Sequence, residues 1–244
     1  MVSKPELILI SVSGAVATGK STLLSALHAD LTQNAPGCAV ARTPSFSSQL
    51  FARWKANKLS TAPFPVENYD AIDQRGHREW FQRQLPESLA FELETALQAL
   101  DKRAETIRYM LVDRWFPDIM AFTRQSMRGP RDEVSVRQIR RLCQDRCVQS
   151  LTALKGRYTL RQLAVFIPIV SCNFATNGQE GKFRATTNRN EWETICLEEW
   201  PSVVDRLPGL TLASSDLTTR IFDVKMALSA LRKPHVKPES SSKP

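Results

Sequence analysis

A short aliphatic, β-branched run, Leu7-Ile8-Leu9-Ile10-Ser11-Val12, leads directly into Gly14-Ala15-Val16-Ala17-Thr18-Gly19-Lys20-Ser21, and Thr22-Leu23-Leu24-Ser25-Ala26-Leu27 follows at once. The run reads as a buried strand, the octet is G-x-x-x-x-G-K-S, and Leu23, Leu24 and Leu27 fall on one side of a helix. Strand, glycine-bounded loop and helix in immediate succession leave few folds open. Gly14 and Gly19 allow the loop to turn and let its backbone approach an anion without an intervening Cβ. Successive loop amides form a concave nest of partial positive charge, and the helix behind adds its N-terminal dipole. Residues 14–22 (Gly14, Ala15, Val16, Ala17, Thr18, Gly19, Lys20, Ser21, Thr22) thus form a candidate site for the polyphosphate of a nucleoside triphosphate. Lys20 is placed to reach the β- and γ-phosphates and Ser21 to ligate Mg²⁺.

A second chemical signal follows Tyr109-Met110-Leu111-Val112, which reads as another strand and ends in Asp113-Arg114. In open parallel sheets ligands bind beyond the carboxyl ends of strands, so Asp113 is expected to face the mouth of the glycine loop. There a carboxylate can hold Mg²⁺ or accept the proton of an attacking hydroxyl, and Arg114 can neutralise phosphate charge. The competing assignment is helix capping, because Pro117 and Asp118 open a helix shortly afterwards.

The remaining pattern alternates strands and helices, which calls for a parallel sheet covered on both faces. Strands are expected near residues 7, 38, 109, 163 and 210. A helix through residue 58 carries Leu50, Phe51 and Trp54. Two separate helices are expected over 69–83 and 86–106, the second opened by Pro86. An amphipathic helix covers 134–154, and further helices cover 191–205 and 217–231. Residues 173–190, with Lys182, Arg184 and Arg189 and few apolar side chains, read as a basic lid able to exclude water. The expected organisation is one domain over 1–232 with that lid near 173–190, followed by a disordered tail at 233–244, rich in Pro, Ser and Lys.

Composition excludes several classes. With 244 residues, 42% of them hydrophobic, the chain can bury a full core. It contains no apolar run of about eighteen residues, so no membrane span is expected. The segment Met1-Val2-Ser3-Lys4-Pro5 lacks the pattern of a secretory signal, and the five cysteines have no C-x-x-C spacing, so reduced thiols and a cytoplasmic location are expected. The three histidines are scattered and suggest no structural metal. The net charge is +8, and ten Lys and Arg between Arg124 and Arg161 face only Asp132, Glu133 and Asp145. Such a stretch attracts polyanions, unless it is simply a solvated helix face.

Together, residues 14–21, Asp113-Arg114 and the late Gly181-Lys182-Phe183-Arg184 resemble the P-loop nucleoside and nucleotide kinases, and within them the thymidylate-kinase-like group. The resemblance implies a three-layer fold with strand order 2-3-1-4-5, ATP–Mg²⁺ as donor, and an acceptor pocket lined by the helices after the second strand. In that group an Arg-Glu-Pro follows strand two, where this chain has Arg42-Thr43-Pro44. The group's Asp-Gly before the loop is replaced by Val12-Ser13-Gly14. The missing acidic residue after strand two, with the basic stretch, points toward a resemblance to a phage-encoded branch that phosphorylates 5-hydroxymethyluracil within DNA, in which case the location is the host cytoplasm. A soluble deoxynucleoside or deoxynucleoside-monophosphate kinase is the alternative, and a non-kinase P-loop NTPase the second alternative.

On this reading Lys20, Asp113, Arg114, Arg184 and Arg189 are the candidate catalytic residues. Ser21 and Asp113 are the candidate Mg²⁺ ligands, and Arg42, Phe46, Arg75 and Arg78 would contact the acceptor. Trp54, Trp80 and Phe81 could stack a base or simply pack a core. The expected partners are ATP and a nucleoside, nucleotide or DNA acceptor, with a homodimer as the assembly to test.

Overall fold

The computed structural model describes residues 4–35, 37–56, 75–171, 186–204 and 208–232. Its centre is a five-stranded sheet in the order β2-β3-β1-β4-β5. The strands are β1 (Glu6–Gly14), β2 (Cys38–Arg42), β3 (Ile107–Asp113), β4 (Thr159–Ile167) and β5 (Leu210–Thr211). All four pairings are parallel. This is the order and the three-layer arrangement expected above.

The apolar run of β1 is continuous because both faces of the strand are covered. Side chains alternate between two cores. Leu7 and Leu9 join Met110, Val112, Ala164 and Phe166 on one face. Ile8, Ile10 and Val12 join Tyr109, Leu111, Leu163, Val165 and Ile167 on the other. The second face is closed by α1 (Lys20–Asn34), through Leu23, Leu24, Leu27 and Leu31, and by α7 (Leu217–Arg232), through Val224 and Leu228. The larger first face is covered by α2 (Phe46–Lys55), α3 (Arg75–Asp101), α4 (Phe116–Ser126), α5 (Glu133–Arg157) and α6 (Thr186–Val204).

Several expected boundaries move. The two helices placed over 69–83 and 86–106 are, over the described residues, one helix, α3, with Pro86 inside it. An interior proline removes one helical hydrogen bond and crowds a carbonyl, at about 3 kcal/mol. Against that, Phe81, Leu85, Leu89, Leu93, Leu97 and Leu100 form one buried stripe running through the proline. At roughly 1.5–3 kcal/mol per buried side chain, the stripe outweighs the lost bond. Likewise β4 begins at Thr159 rather than 163, because its first residues pair with Glu6 to Leu9 although only partly buried. Helix α6 includes Pro201 and starts at Thr186, so the last residues assigned to the lid belong to a helix. The rest of the lid, Arg184 among it, and the 233–244 tail lie outside the described residues. Among those residues no helix is long and apolar enough to cross a membrane.

Candidate functional site at the carboxyl ends of the central strands

Strand β1 lies between β3 and β4, with Val12 in register with Asp113 and Gly14 with Ile167. The carboxyl end of β1 therefore delivers the glycine loop to the middle of the sheet, flanked by the ends of its two neighbours. Gly14 has φ +152, and a Cβ there would stand 2.8 Å from the Ile167 carbonyl oxygen and 2.9 Å from Thr18 Oγ1. Gly19, directly before α1, has φ +86. Ala17 (φ +66) and Arg114 (φ +74) are the non-glycine residues with positive φ among those described, and both border the loop mouth. Such backbone costs of order 1–2 kcal/mol each and persists where surrounding bonds hold it.

Lys20 is buried, and its Nζ donates to the Ala15 carbonyl at 2.5 Å. Ser21 Oγ donates to Asp113 Oδ2 at 3.3 Å, so the first turn of α1 meets the carboxylate at the end of β3. Asp113 is only 4% exposed. Its amide donates to Thr43 Oγ1 at 3.2 Å, and the Thr43 amide donates to Leu111 O at 2.8 Å. Thr43, fully buried, thereby pins the chain after β2 to the end of β3. Two carboxyl and hydroxyl oxygens about this far apart match neighbouring corners of an Mg²⁺ octahedron, whose oxygens stand roughly 3 Å from one another at 2.0–2.1 Å bond lengths.

The capping assignment for the local carboxylate goes to another residue. Asp118 Oδ2 accepts the amide of Trp115 at 2.8 Å, closing the first turn of α4. Asp118 is fully buried, and the same oxygen accepts Ser13 Oγ at 2.5 Å. Arg114 Nη1 donates to Asp118 Oδ1 at 3.2 Å and to the Gly14 carbonyl at 3.0 Å. Its guanidinium lies 4.7 Å from the Phe122 ring centroid and 5.4 Å from that of Trp192. Burial pushes the Asp118 carboxyl upward, opposed by the Arg114 charge, the Ser13 and Trp115 hydrogen bonds and the Lys20 charge. Nη1 of Arg114, the residue expected to neutralise phosphate, is engaged inside the protein, holding the start of the loop against α4. A positive φ at Arg114, with its amide donating to Val12 O at 3.0 Å, turns its side chain inward immediately after Asp113.

The acceptor candidates are dispersed. Arg42 Nη1 donates to Ser25 Oγ of α1 at 2.6 Å. Phe46 is fully buried in the core; an aromatic ring at the start of a helix on the larger face is drawn inward by the area it buries. Trp54 is also fully buried and packs on Trp80 and Phe81 with centroids 4.7 and 5.9 Å away, so these rings build core. Arg78 Nη1 donates to Ser126 O at 2.6 Å and lines a cavity of about 410 Å³ with Glu79, Met127 and Arg131. The side chain of Arg75 lies outside the described residues. Arg189 is a buried residue on α6.

The basic stretch is substantially neutralised from within. Arg124 pairs with Glu198 and Glu199, Arg128 with Glu191, Arg140 with Glu199, Arg146 with Glu87, Arg157 with Glu94 and Asp101, and Arg161 with Glu6. Every one of those acids lies outside the stretch, which is why a local charge count does not register them. Sequence patterning also passed over Ser13, Thr43 and the partnership of Asp118 with Arg114. Only the proximity of Asp118 to Pro117 marked it, as a helix start.

No family model matches the chain, and neither does any curated protein. Among solved structures, the chain is similar to thymidylate kinase from Candida albicans, with 14% identity, 94% of this chain and 93% of that one covered, and a TM-score of 0.48. It is also similar to deoxyadenosine kinase from M. mycoides, with 14% identity, 91% and 99% covered, and a TM-score of 0.47.

Proposed function

We propose that this chain is an ATP-dependent phosphotransferase acting on a nucleoside- or nucleotide-type acceptor. The observation that carries the reading is the meeting of Ser21 Oγ with Asp113 Oδ2 at 3.3 Å beside the Lys20 loop. A phosphate nest with a carboxylate beside it supplies two parts that phosphoryl transfer requires. The loop amides and Lys20 would hold the β- and γ-phosphates, with Lys20 exchanging its bond to Ala15 O for phosphate oxygen. Ser21 and Asp113 would hold Mg²⁺, which supplies charge neutralisation between the phosphates when bound. The attacking group is the hydroxyl of a nucleoside or a phosphate oxygen of a monophosphate. Its new bond to the γ-phosphorus forms in line as the bond to the β–γ bridging oxygen breaks, ADP departs with that oxygen, and the proton of a hydroxyl acceptor passes to water. Arg189 and Arg184 are the candidates to offset transition-state charge. Arg114 contributes by positioning, since its Nη1 holds the Gly14 carbonyl from behind.

For the acceptor, a free deoxynucleoside or deoxynucleoside monophosphate is favoured over the hydroxymethyl group of 5-hydroxymethyluracil in DNA. The case for DNA rested in part on the basic stretch, and six of its ten cations are paired with carboxylates. A transfer assay with radiolabelled ATP over free nucleosides, nucleotides and hydroxymethyluracil-containing DNA tests the assignment. Label should move to a small acceptor and ATP consumption should depend on its presence. Label on DNA alone, with activity falling steeply in salt, would restore the polymer reading. Acceptor-independent hydrolysis would make the chain an NTPase.

A further inference from the structure

Arg220 stands in the first turn of α7, more than two hundred positions from the glycine loop, yet its side chain ends directly behind that loop. The residue is 5% exposed. Its Nη1 donates to Thr18 O at 3.0 Å, its Nη2 to Ser171 O at 2.8 Å, and its Nε to Ser214 O at 2.7 Å. A Cβ on Gly19 would lie 3.1 Å from the same Nη1, so the guanidinium occupies the space immediately under the start of α1. Helix α7 gains nothing from a cation there, because the N-terminal dipole disfavours positive charge in a first turn. Asp216 meets the demands of that turn, accepting the Thr219 amide at 2.7 Å.

The geometry of one peptide plane gives the contact its meaning. Thr18 C=O and Gly19 N–H belong to the same trans peptide and point in opposite directions. A donor that holds the Thr18 carbonyl from behind therefore turns the Gly19 amide toward the concave side of the loop, where an anion is bound. The buried guanidinium also places a permanent positive charge under that anion, in surroundings that screen it weakly. Through Ser171 and Ser214, the chain after β4 and the turn before α7 are tied to the same group.

We propose that Arg220 is a positioning residue of the phosphate site, one that aims the Gly19 amide and supports the bound polyphosphate electrostatically without touching it. The proposal rests on the nucleotide-binding reading given above. Its test is calorimetric binding of MgATP and of inorganic pyrophosphate to the full chain and to two variants, Arg220→Lys and Arg220→Met, with folding of each followed by circular dichroism and urea unfolding. Lysine keeps the charge but cannot span three carbonyls; methionine removes both functions. Both ligands are expected to bind Arg220→Met about tenfold or more weakly than the wild type, and Arg220→Lys by an intermediate factor. A purely structural arginine would lower the unfolding midpoint and leave the Kd of the folded protein unchanged. A folded variant of either kind that binds both ligands with the wild-type Kd therefore overturns the proposal, and Arg220→Lys decides the matter should Arg220→Met not fold. Failure of the wild type itself to bind either ligand would overturn the nucleotide reading and the proposal with it, an outcome distinct from wild-type binding that the variants leave unmoved.

Discussion

Ser21 and Asp113 touch through Oγ and Oδ2 at 3.3 Å although 92 positions separate them. The contact exists because β1 and β3 are neighbours in register, which brings the helix that follows one strand to the carboxylate that ends the other. Its chemical consequence can be measured. Lys20→Ala and Asp113→Ala are each expected to lower phosphoryl transfer by about 10³-fold while the far-ultraviolet circular dichroism stays native. Ser21→Ala should raise the Mg²⁺ concentration needed for half-maximal activity. Transfer retained in Asp113→Ala would reduce that carboxylate to a structural one.

The Arg114–Asp118 pair is a matter of stability. Both side chains are buried, and Asp118 also serves Ser13 and the Trp115 amide. Removing one member leaves the other charged and uncompensated, so Arg114→Met or Asp118→Leu should each cost about 3–5 kcal/mol in urea unfolding. The double variant Arg114→Met/Asp118→Leu should lose less than the sum of the two, because no isolated charge remains. Strict additivity would show that the two do not act as a pair.

Two glycines with positive φ make a matched comparison. At Gly14 a Cβ meets the main-chain oxygen of Ile167 at 2.8 Å, whereas at Gly37 (φ +77) nothing lies within 4 Å. Gly37→Ala should therefore cost only the left-handed backbone penalty of about 1–2 kcal/mol and leave nucleotide binding as it was. Gly14→Ala must displace the loop from β4, and MgATP affinity should fall by at least about tenfold. Equal nucleotide affinity in the two variants would contradict the assignment of residues 14–21 to the phosphate site.

Glu193 of α6 predicts a pH dependence. Burial raises its carboxyl above the ordinary value, partly opposed by the hydrogen bond it accepts from the Ile169 amide at 2.7 Å. A carboxyl raised in the folded state binds more protons there than in the unfolded chain between its unfolded and folded pKa values, so stability falls as pH rises through that window. Glu193→Gln keeps an acceptor for Ile169 and removes the charge. Its urea midpoint should exceed the wild type's at pH 7.5 and converge with it near pH 4. A variant less stable than the wild type at pH 7.5 would mean that the carboxylate form is the one the site prefers.

Much of this molecule is determined by neighbours along the chain. The β1 run, the glycine loop and α1 follow from a short continuous β-branched stretch, two positions that need backbone freedom, and leucines at helical spacing. The strands near 38, 109 and 210 stand where expected. The strand order came from family resemblance, because periodicity marks a strand without naming its neighbour. The helix break at Pro86 illustrates the opposite case: the local rule ends a helix there, and burial of a stripe continuous across the proline overrides it.

What only the tertiary structure decided is which partner each charge meets. Arg114, expected to neutralise phosphate, meets Asp118 and Gly14 O through Nη1; the cations of 124–161 counted as a basic surface largely face carboxylates from elsewhere; Arg220 carried no signal at all and lies under the glycine loop. A backbone preference is settled within a few residues, and a sequence displays it directly. An ion pair or a carbonyl-bound guanidinium depends on where the fold brings segments as far apart as 202 positions, and on how much water it removes from between them.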